Sequence, residues 1–290
     1  MIGSRLTALL LEKGFMVSHL GRGTKTEGVR TFFWNPYQKE IEPGVLGDTD
    51  VIIHLAGAGI ADKRWNEKRK EEILVSRTQT TRFLCEILSK EKHHVDTFIS
   101  ASGISYYGLE DEGRSFKESD RPAQDFMARV TLAWEEEVDE IRKTGLRVVR
   151  IRTGVVLSRS GGALKKLARP VKYFVGAPLG SGEQHVNWIH LDDLCNIYIK
   201  AVEDRSMEGA YNGVAPQPVT NRTLTAEIAK VLKRPLWLPP VPGFVVKLIA
   251  GGVADVVLKG GKISSEKIEM AGFRFQFPTL QEALKDLFRM

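Results

Sequence analysis

The stretch Thr97-Phe98-Ile99-Ser100-Ala101-Ser102-Gly103-Ile104-Ser105-Tyr106-Tyr107-Gly108 constrains the fold more than any other part of the chain. A short apolar run passes into small hydroxyl residues, a glycine and two tyrosines, as a buried parallel strand does when its C-terminal end opens into a crevice. A core strand followed by a polar turn reads the same way, so the flanks decide. Val51-Ile52-Ile53-His54-Leu55 is a second continuous apolar run, closed by Ala56-Gly57-Ala58-Gly59. A helical pattern from about 65 to 90 joins it to the strand at 95–101. Another helical pattern, from about 123 to 143, stops at Gly145 and leads into a third run at 146–151. Strand and helix alternate, which predicts a parallel sheet covered on both faces.

The flanking segments extend this pattern. Residues 3–13 read as a helix stopped by Gly14, 15–20 and 30–34 as strands, and Gly21-Arg22-Gly23 and Asn35-Pro36 as turns. After Gly154 the alternation loosens: helices near 163–174, 191–203 and 221–233 are interspersed with short strands at 185–189 and 210–212. Pro235, Pro239, Pro240 and Pro242 mark a linker, and the segment beyond them reads as a small helical cap. The expected organisation is one domain over residues 1–235 and a small C-terminal helical domain over 236–290.

Composition excludes several classes. The net charge of +6 comes from interspersed signs, as in residues 63–72, where acids interrupt a basic helical face. A nucleic-acid surface needs a denser basic stripe with aromatic interleaving, so no nucleic-acid partner is expected. The most apolar stretch, 244–258, contains Lys247, Asp255 and two glycines, and the apolar centre of residues 1–15 is too short for a signal peptide; neither suits a membrane. Cys85 and Cys195 each sit in an apolar helical pattern, which points to core packing in a reducing compartment, with the cytoplasm as the expected location. His93-His94 has no ligand partners at metal spacing, and no metal site is expected.

Doubly wound dinucleotide folds place a strand and a glycine-rich turn before the first helix, because backbone N–H groups at that helix start hold the pyrophosphate. Here the chain starts at the helix, and Gly3 looks like the last glycine of such a turn. The other pieces are Val51 through Gly57, Ser100-Ala101-Ser102 through Tyr106-Tyr107-Gly108, and Trp188-Ile189-His190-Leu191-Asp192-Asp193. Arg64-Trp65 with Ser76-Arg77, Gly180-Ser181-Gly182 and Tyr211-Asn212-Gly213-Val214-Ala215-Pro216 complete the set. With these, residues 1 to about 215 resemble the extended short-chain dehydrogenase/reductase superfamily. Within it they are most similar to the atypical branch of NAD(P)-binding "epimerase family" proteins, grouped with nucleoside-diphosphate-sugar epimerases. Gly272-Phe273-Arg274-Phe275 and residues 278–284 are similar to the small C-terminal domain of that branch.

The resemblance implies an α/β fold of Rossmann type, a doubly wound parallel sheet lacking its first strand in this chain, with a nucleotide-binding part over about 1–160 and a substrate lobe over about 161–235. It also implies that a strand and two fingerprint glycines precede Met1 in the native gene; without them, pyrophosphate binding is expected to be weak. At the cofactor site it places Gly3, Leu55, Ala56, Gly57 and Ser100, with the glycines of 56–59 allowing close approach of the dinucleotide. Arg22, followed by Lys25, stands where an acid would select NAD, so NADP is the expected cofactor and NAD the less favoured one.

Active members of the superfamily use a serine with Tyr-x-x-x-Lys on the next helix. That spacing occurs nowhere in this chain; Phe126 or Met127 stands at the tyrosine position and Val130 or Thr131 at the lysine position. The catalytic candidates are therefore Ser102, with Ser100 or Ser105 as substitutes, and Tyr106 and Tyr107. Arg64 and Arg77, with Lys63, are candidates for an anionic substrate, against a plain helix-surface role. His190 is read as a structural link with Asp192 capping a helix, and Asp111, Glu112, Glu118 and Asp120 as a cap-forming acidic loop. The preferred expectation is an NADP-dependent oxidoreductase or epimerase-like enzyme on a small polar substrate, monomeric or homodimeric. The alternative is a non-catalytic NADP-binding redox sensor, and an epimerase working by the usual mechanism ranks last.

Overall fold

The computed structural model describes residues 1–21, 28–108, 110 and 113–289. The first half consists of α1 (Ile2–Glu12), β1 (Ser18–Gly21), β2 (Arg30–Asn35), β3 (Val51–His54), α2 (Glu67–Lys90), β4 (Thr97–Gly103), α3 (Phe126–Arg142) and β5 (Arg147–Thr153). Local chemistry sets the helix boundaries. Asn66 accepts a hydrogen bond from Arg69 N at the start of α2, and Asp125 accepts from Met127 N and Ala128 N at the start of α3. Gly14 and Gly145, at φ +84° and +89°, turn the chain out of α1 and α3.

The second half contributes β6 (Val155–Ser158), α4 (Ala163–Lys172), β7 (Trp188–His190), α5 (Leu191–Glu203), β8 (Gly209–Gly213) and α6 (Asn221–Val231). It closes with α7 (Gly243–Ala250), α8 (Val253–Leu258), α9 (Glu266–Met270) and α10 (Leu280–Leu287). Strands β8, β5, β4 and β3 form one parallel sheet in that order, with Ile53 opposite Ile99, Ser102 opposite Arg152, and Arg152 opposite Asn212. Helices α1 and α5 cover one face, packing Leu6, Leu10, Leu194 and Tyr198 against Ile99, Val149 and Ile151. Helices α2 and α3 cover the other, packing Leu84, Ile87, Trp134 and Val138 against Phe98 and Val148. This is the doubly wound α/β arrangement that the alternation predicts.

β1 and β2 pair in parallel, and Glu40–Ile41 runs antiparallel to β2, in a sheet separate from the main one. Helix α1 bridges the two sheets: Phe15 and Val17 from one side and Val51, Ile53 and Leu55 from the other pack against its cluster. Beyond the main sheet, β6 pairs with β7, and α4, α6 and α10 enclose the fully buried Trp188.

The 236–290 segment, expected to be purely helical, also contributes a strand: Lys262–Ile263 runs parallel to Ser115–Phe116. It is fastened to the preceding domain elsewhere as well. Asp193 at the start of α5 accepts from Gln276 N at 2.7 Å and Phe277 N at 3.0 Å, and Val241 bridges to Leu179 across the proline-rich segment. No helix among the described residues is long and apolar enough to cross a membrane.

Candidate functional site

The carboxyl ends of β3, β4 and β5 open toward the start of α1. A Cβ on Gly3 would lie 3.8 Å from Leu55 Cδ1, so the first turn of α1 stands against the exit of β3. Met1 stands at the N-cap position of that turn, and its side chain makes no cap hydrogen bond.

The loop after β3 departs from expectation in its detail. The space beside Gly57 is filled by Arg77, whose Cζ would lie 3.2 Å from an added Cβ, and the space beside Gly59 by the Asp62 carboxylate. A side chain at either glycine would therefore meet one of the protein's own. Helix α2 pins the loop from below. Ala58 N donates to Ser76 Oγ at 2.9 Å, Arg77 Nη2 donates to Ala58 O at 3.1 Å, and Arg69 donates to Gly59 O.

Arg77 is buried and also donates to Ile73 O; burial, together with the charge of Arg69, pushes its pKa down to about 10. It braces the loop, while Arg64 is exposed beside the α7–α8 turn at Gly251. His54 at the end of β3 is buried and pushed down to about 4, so it is neutral at pH 7. Its Nε2 lies 3.2 Å from Thr80 Oγ1, which donates its own hydrogen to Ser76 O, so Nε2 is the protonated nitrogen.

At the end of β4 the structure brings Ser102, Tyr106 and Tyr107 together around one residue, Arg152. Ser102 Oγ donates to Glu135 Oε1 at 2.6 Å, and Arg152 grips the same carboxylate through Nε and Nη2, both at 2.8 Å. Arg152 Nη1 donates to Tyr107 OH at 2.9 Å, and Tyr107 OH donates to Asn212 Oδ1 at 2.7 Å. The guanidinium also lies 3.5 Å from the centroid of the Tyr106 ring. Burial works against the charge on Arg152, but its bonds to Glu135 outweigh that and hold its pKa above the ordinary value. Burial likewise pushes the Tyr107 phenol up, so it stays protonated. Because Ser102, Arg152 and Asn212 sit at matching register on the α3-covered face, this network lies behind the strand ends.

Ser100 is fully buried and donates to Ala101 O. Ser105 Oγ lies 2.8 Å from Thr131 Oγ1, which itself donates to Met127 O; Ser105 is therefore the donor of the pair. A Cβ on Gly103 would lie 3.1 Å from Ser105 Oγ, which puts this hydroxyl pair at the exit of β4. Thr131 is one of the two residues at the expected lysine position, and Met127, at the expected tyrosine position, is buried.

Glu135 and Arg152 are not singled out by sequence reasoning, although a signal exists. Arg150 and Arg152 occupy alternate positions of an otherwise apolar strand, a pattern that demands buried acceptors. Arg22, Lys25, Asp111 and Glu112 lie outside the described residues. Asp120 accepts from Lys117 N, a local capping bond of the kind expected of the acidic loop, whereas Glu118 accepts from Asn212 N on β8.

The expectation for Asp192 needs correction. The cap of α5 is His190, whose Nδ1 accepts from Asp192 N at 3.1 Å, and the Asp192 carboxylate instead grips Arg5 at 2.7 and 2.9 Å. The ion pair wins because Arg5 on α1 brings a full charge to within hydrogen-bond reach, and it holds the Asp192 carboxyl below its usual range. No group of His, Cys, Asp or Glu among the described residues is placed to hold a metal ion.

A doubly wound parallel sheet, with the first helix and a braced glycine loop at its carboxyl edge, defines a Rossmann-type nucleotide-binding protein. Residues 1–212 match the model of the NAD dependent epimerase/dehydratase family, and residues 241–287 match a domain of unknown function, DUF1731. The chain belongs to the NAD dependent epimerase/dehydratase family. It is 33% identical to mouse epimerase family protein SDR39U1 over 289 residues, covering 99% of this chain and 96% of that protein. It is also 33% identical to Bacillus subtilis epimerase family protein YfhF over 288 residues, covering 99% and 94%. Among solved structures, human SDR39U1 (isoform 2) with NADPH superposes with a TM-score of 0.88 at 30% identity, covering 99% of this chain and 95% of that one. Thermus thermophilus UDP-glucose 4-epimerase in complex with NAD, at a TM-score of 0.76 and 19% identity over 98% of this chain and 94% of that one, shares the fold.

Proposed function

We propose that this chain binds NADP(H) along the carboxyl ends of β3, β4 and β5 and acts as an oxidoreductase or epimerase-like enzyme on a small polar substrate. The observation that carries the cofactor assignment is the whole-length similarity to a human protein whose structure holds NADPH. The chain's own geometry supports it: the first turn of α1 stands against Leu55 across Gly3. In this reading Gly3, Leu55, Ala56 and Gly57 form the backbone cradle for the dinucleotide. Arg22 supplies the charge for the 2′-phosphate, with Lys25 beside it.

Bound NADPH supplies a hydride. The residues of this chain supply orientation and a proton donor, and the absence of Tyr-x-x-x-Lys moves that role elsewhere. Ser102, Tyr106 and Tyr107 are held by Arg152, Glu135 and Asn212. The Ser105–Thr131 pair is the hydroxyl pair at the β4 exit, and we assign Ser105 as the donor to a substrate carbonyl, its hydroxyl hydrogen turning from Thr131 Oγ1 to the substrate. A cofactor-binding protein without turnover is the second reading; the engagement of the Ser102 and Tyr107 hydroxyls in one buried network favours it.

Two titrations separate the readings. NADPH and NADH are titrated by their fluorescence, and the NADPH complex is then challenged with a panel of carbonyl compounds while absorbance is followed. Oxidation of NADPH that Ser105→Ala slows by about tenfold or more supports the enzyme. Tight NADPH binding with no oxidation of any carbonyl replaces it with the second reading, and preference for NADH overturns the cofactor assignment.

A further inference from the structure

A cavity of about 770 Å³ lies on the α3 side of the sheet, behind the strand ends. Its floor is Arg150 and Arg152 of β5 with Ala210 of β8; α3 forms one wall, α9 the other, and residues 117–122 the rim. The space exists because of the sequence of β5. Helix-facing positions of a buried parallel strand are normally aliphatic, as at Val148, yet the next two on this face are arginines. Helix α3 answers them with Glu135 and Asp139, one turn apart, and leaves the face of β8 to the short α9.

Two cations lining the cavity have no acid partner among the described residues, Arg121 on the rim and Lys267 on α9. Arg152 is held by Glu135, Arg150 by Asp139 at 2.7 Å, and Lys117 on the rim by Glu266 at 2.6 Å. Half-buried Lys267 on α9 makes no ion pair among the described residues. Its Nζ donates to the neutral Ala210 O at 2.7 Å and stands 4.1 Å from the centroid of the Tyr211 ring. Burial pushes the Lys267 pKa down; the Glu118 carboxylate works against this, and the charges of Arg150 and Arg152 add to it. The mouth, in contrast, carries carboxylates, among them Glu118 and the exposed Glu136, which accept hydrogen bonds from hydroxyl groups.

We propose that this cavity binds a small polyhydroxylated anion, its carboxylate or phosphate head on Lys267 and Arg150 and its hydroxyls on the carboxylates of the rim. The volume is in the range of small-metabolite sites. A neutral polyol lacks the head that Lys267 demands, and a bare anion lacks donors for the rim. The site is separate from the proposed cofactor cradle, since its floor faces α3 and α9 and the cradle faces α1.

The test is calorimetric titration of the full chain with gluconate, glucose 6-phosphate and glucose. Lys267 reactivity toward trinitrobenzenesulfonate is read in parallel by peptide mapping. Gluconate or glucose 6-phosphate is expected to bind and to protect Lys267, and whichever binds more tightly names the head group; glucose is expected to do neither. Lys267→Met is expected to weaken binding by about tenfold or more, with partial rescue by Lys267→Arg. Should Lys267→Met fail to fold, protection of the native lysine decides. Binding of neither anion, equal binding of glucose, or binding that leaves Lys267 unprotected overturns the proposal. NADPH titration of the same preparation reports on the cofactor reading independently, so failure of one leaves the other standing.

Discussion

Replacing Glu135 by Gln removes the charge that holds the centre of the site together. Glu135 and Arg152 are both 4% exposed, and the carboxylate receives two bonds from Arg152 and one from Ser102, all between 2.6 and 2.8 Å. A glutamine keeps one acceptor oxygen but turns an NH2 group toward a guanidinium, leaving a buried cation without its counter-charge. Breaking a buried pair from one side costs about 3 to 5 kcal/mol, most of it from the charge left behind. Arg152 keeps Tyr107 and the Glu118 carbonyl as partners, so the lower end of that range is expected, about 3 kcal/mol. At about 2 to 4 °C per kcal/mol for a chain approaching this length, thermal unfolding shifts down by roughly 6 to 12 °C. Differential scanning calorimetry of E135Q measures this directly. The double variant Glu135→Leu with Arg152→Met removes both charges and is expected to recover most of the loss. An E135Q transition within about 1 °C of the parent would refute the reading of this pair as the buried electrostatic centre of the site.

Single contacts give three more expected outcomes. His54 has its pKa lowered from 6.5 to about 4 by burial, so the unfolded chain binds its proton first as pH falls; stability is lost between pH 6.5 and about 4, by about 3 kcal/mol in all. Chemical denaturation at pH 7 and about pH 4.5 should show that loss in the parent and a smaller one in His54→Asn. Arg77→Met releases the Ala58 carbonyl and is expected to lower stability by about 2 kcal/mol while weakening NADPH binding; unchanged cofactor affinity would detach the loop at 57–59 from the cofactor. Gly57→Ala presses a methyl against Arg77 Cζ at 3.2 Å and should cost about 1 kcal/mol in urea unfolding even without cofactor.

The sheet was legible because its strands are continuous apolar runs and its helices are periodic. The expected strands at 51–55, 95–101 and 146–151 lie within two residues of β3, β4 and β5, and the predicted helices fall within a few residues of α2, α3 and α5. Cys195 is buried in α5, and Cys85 is half-buried on α2. The site was less legible, because a sequence shows which residue types stand at a strand end and does not show which way they turn. Ser102 reads as an exposed serine after an apolar run; register puts it opposite Arg152, and Glu135, thirty-three positions away, accepts its hydrogen bond. The glycines at 57 and 59 read as room for a ligand, while the side chains that fill that room come from Arg77 and Asp62. Asp192 has the composition of a helix cap but lies within reach of Arg5, and a charged partner outcompetes a backbone amide.

At the centre stands the proposal that this chain is an NADP(H)-binding member of its family, with the dinucleotide along the carboxyl ends of β3, β4 and β5. Side-by-side fluorescence titration of the full chain with NADPH and NADH tests it most directly. Saturable NADPH binding is expected, with NADH weaker by about tenfold or more for want of the 2′-phosphate. Equal or tighter binding of NADH, or no binding of either, would contradict it.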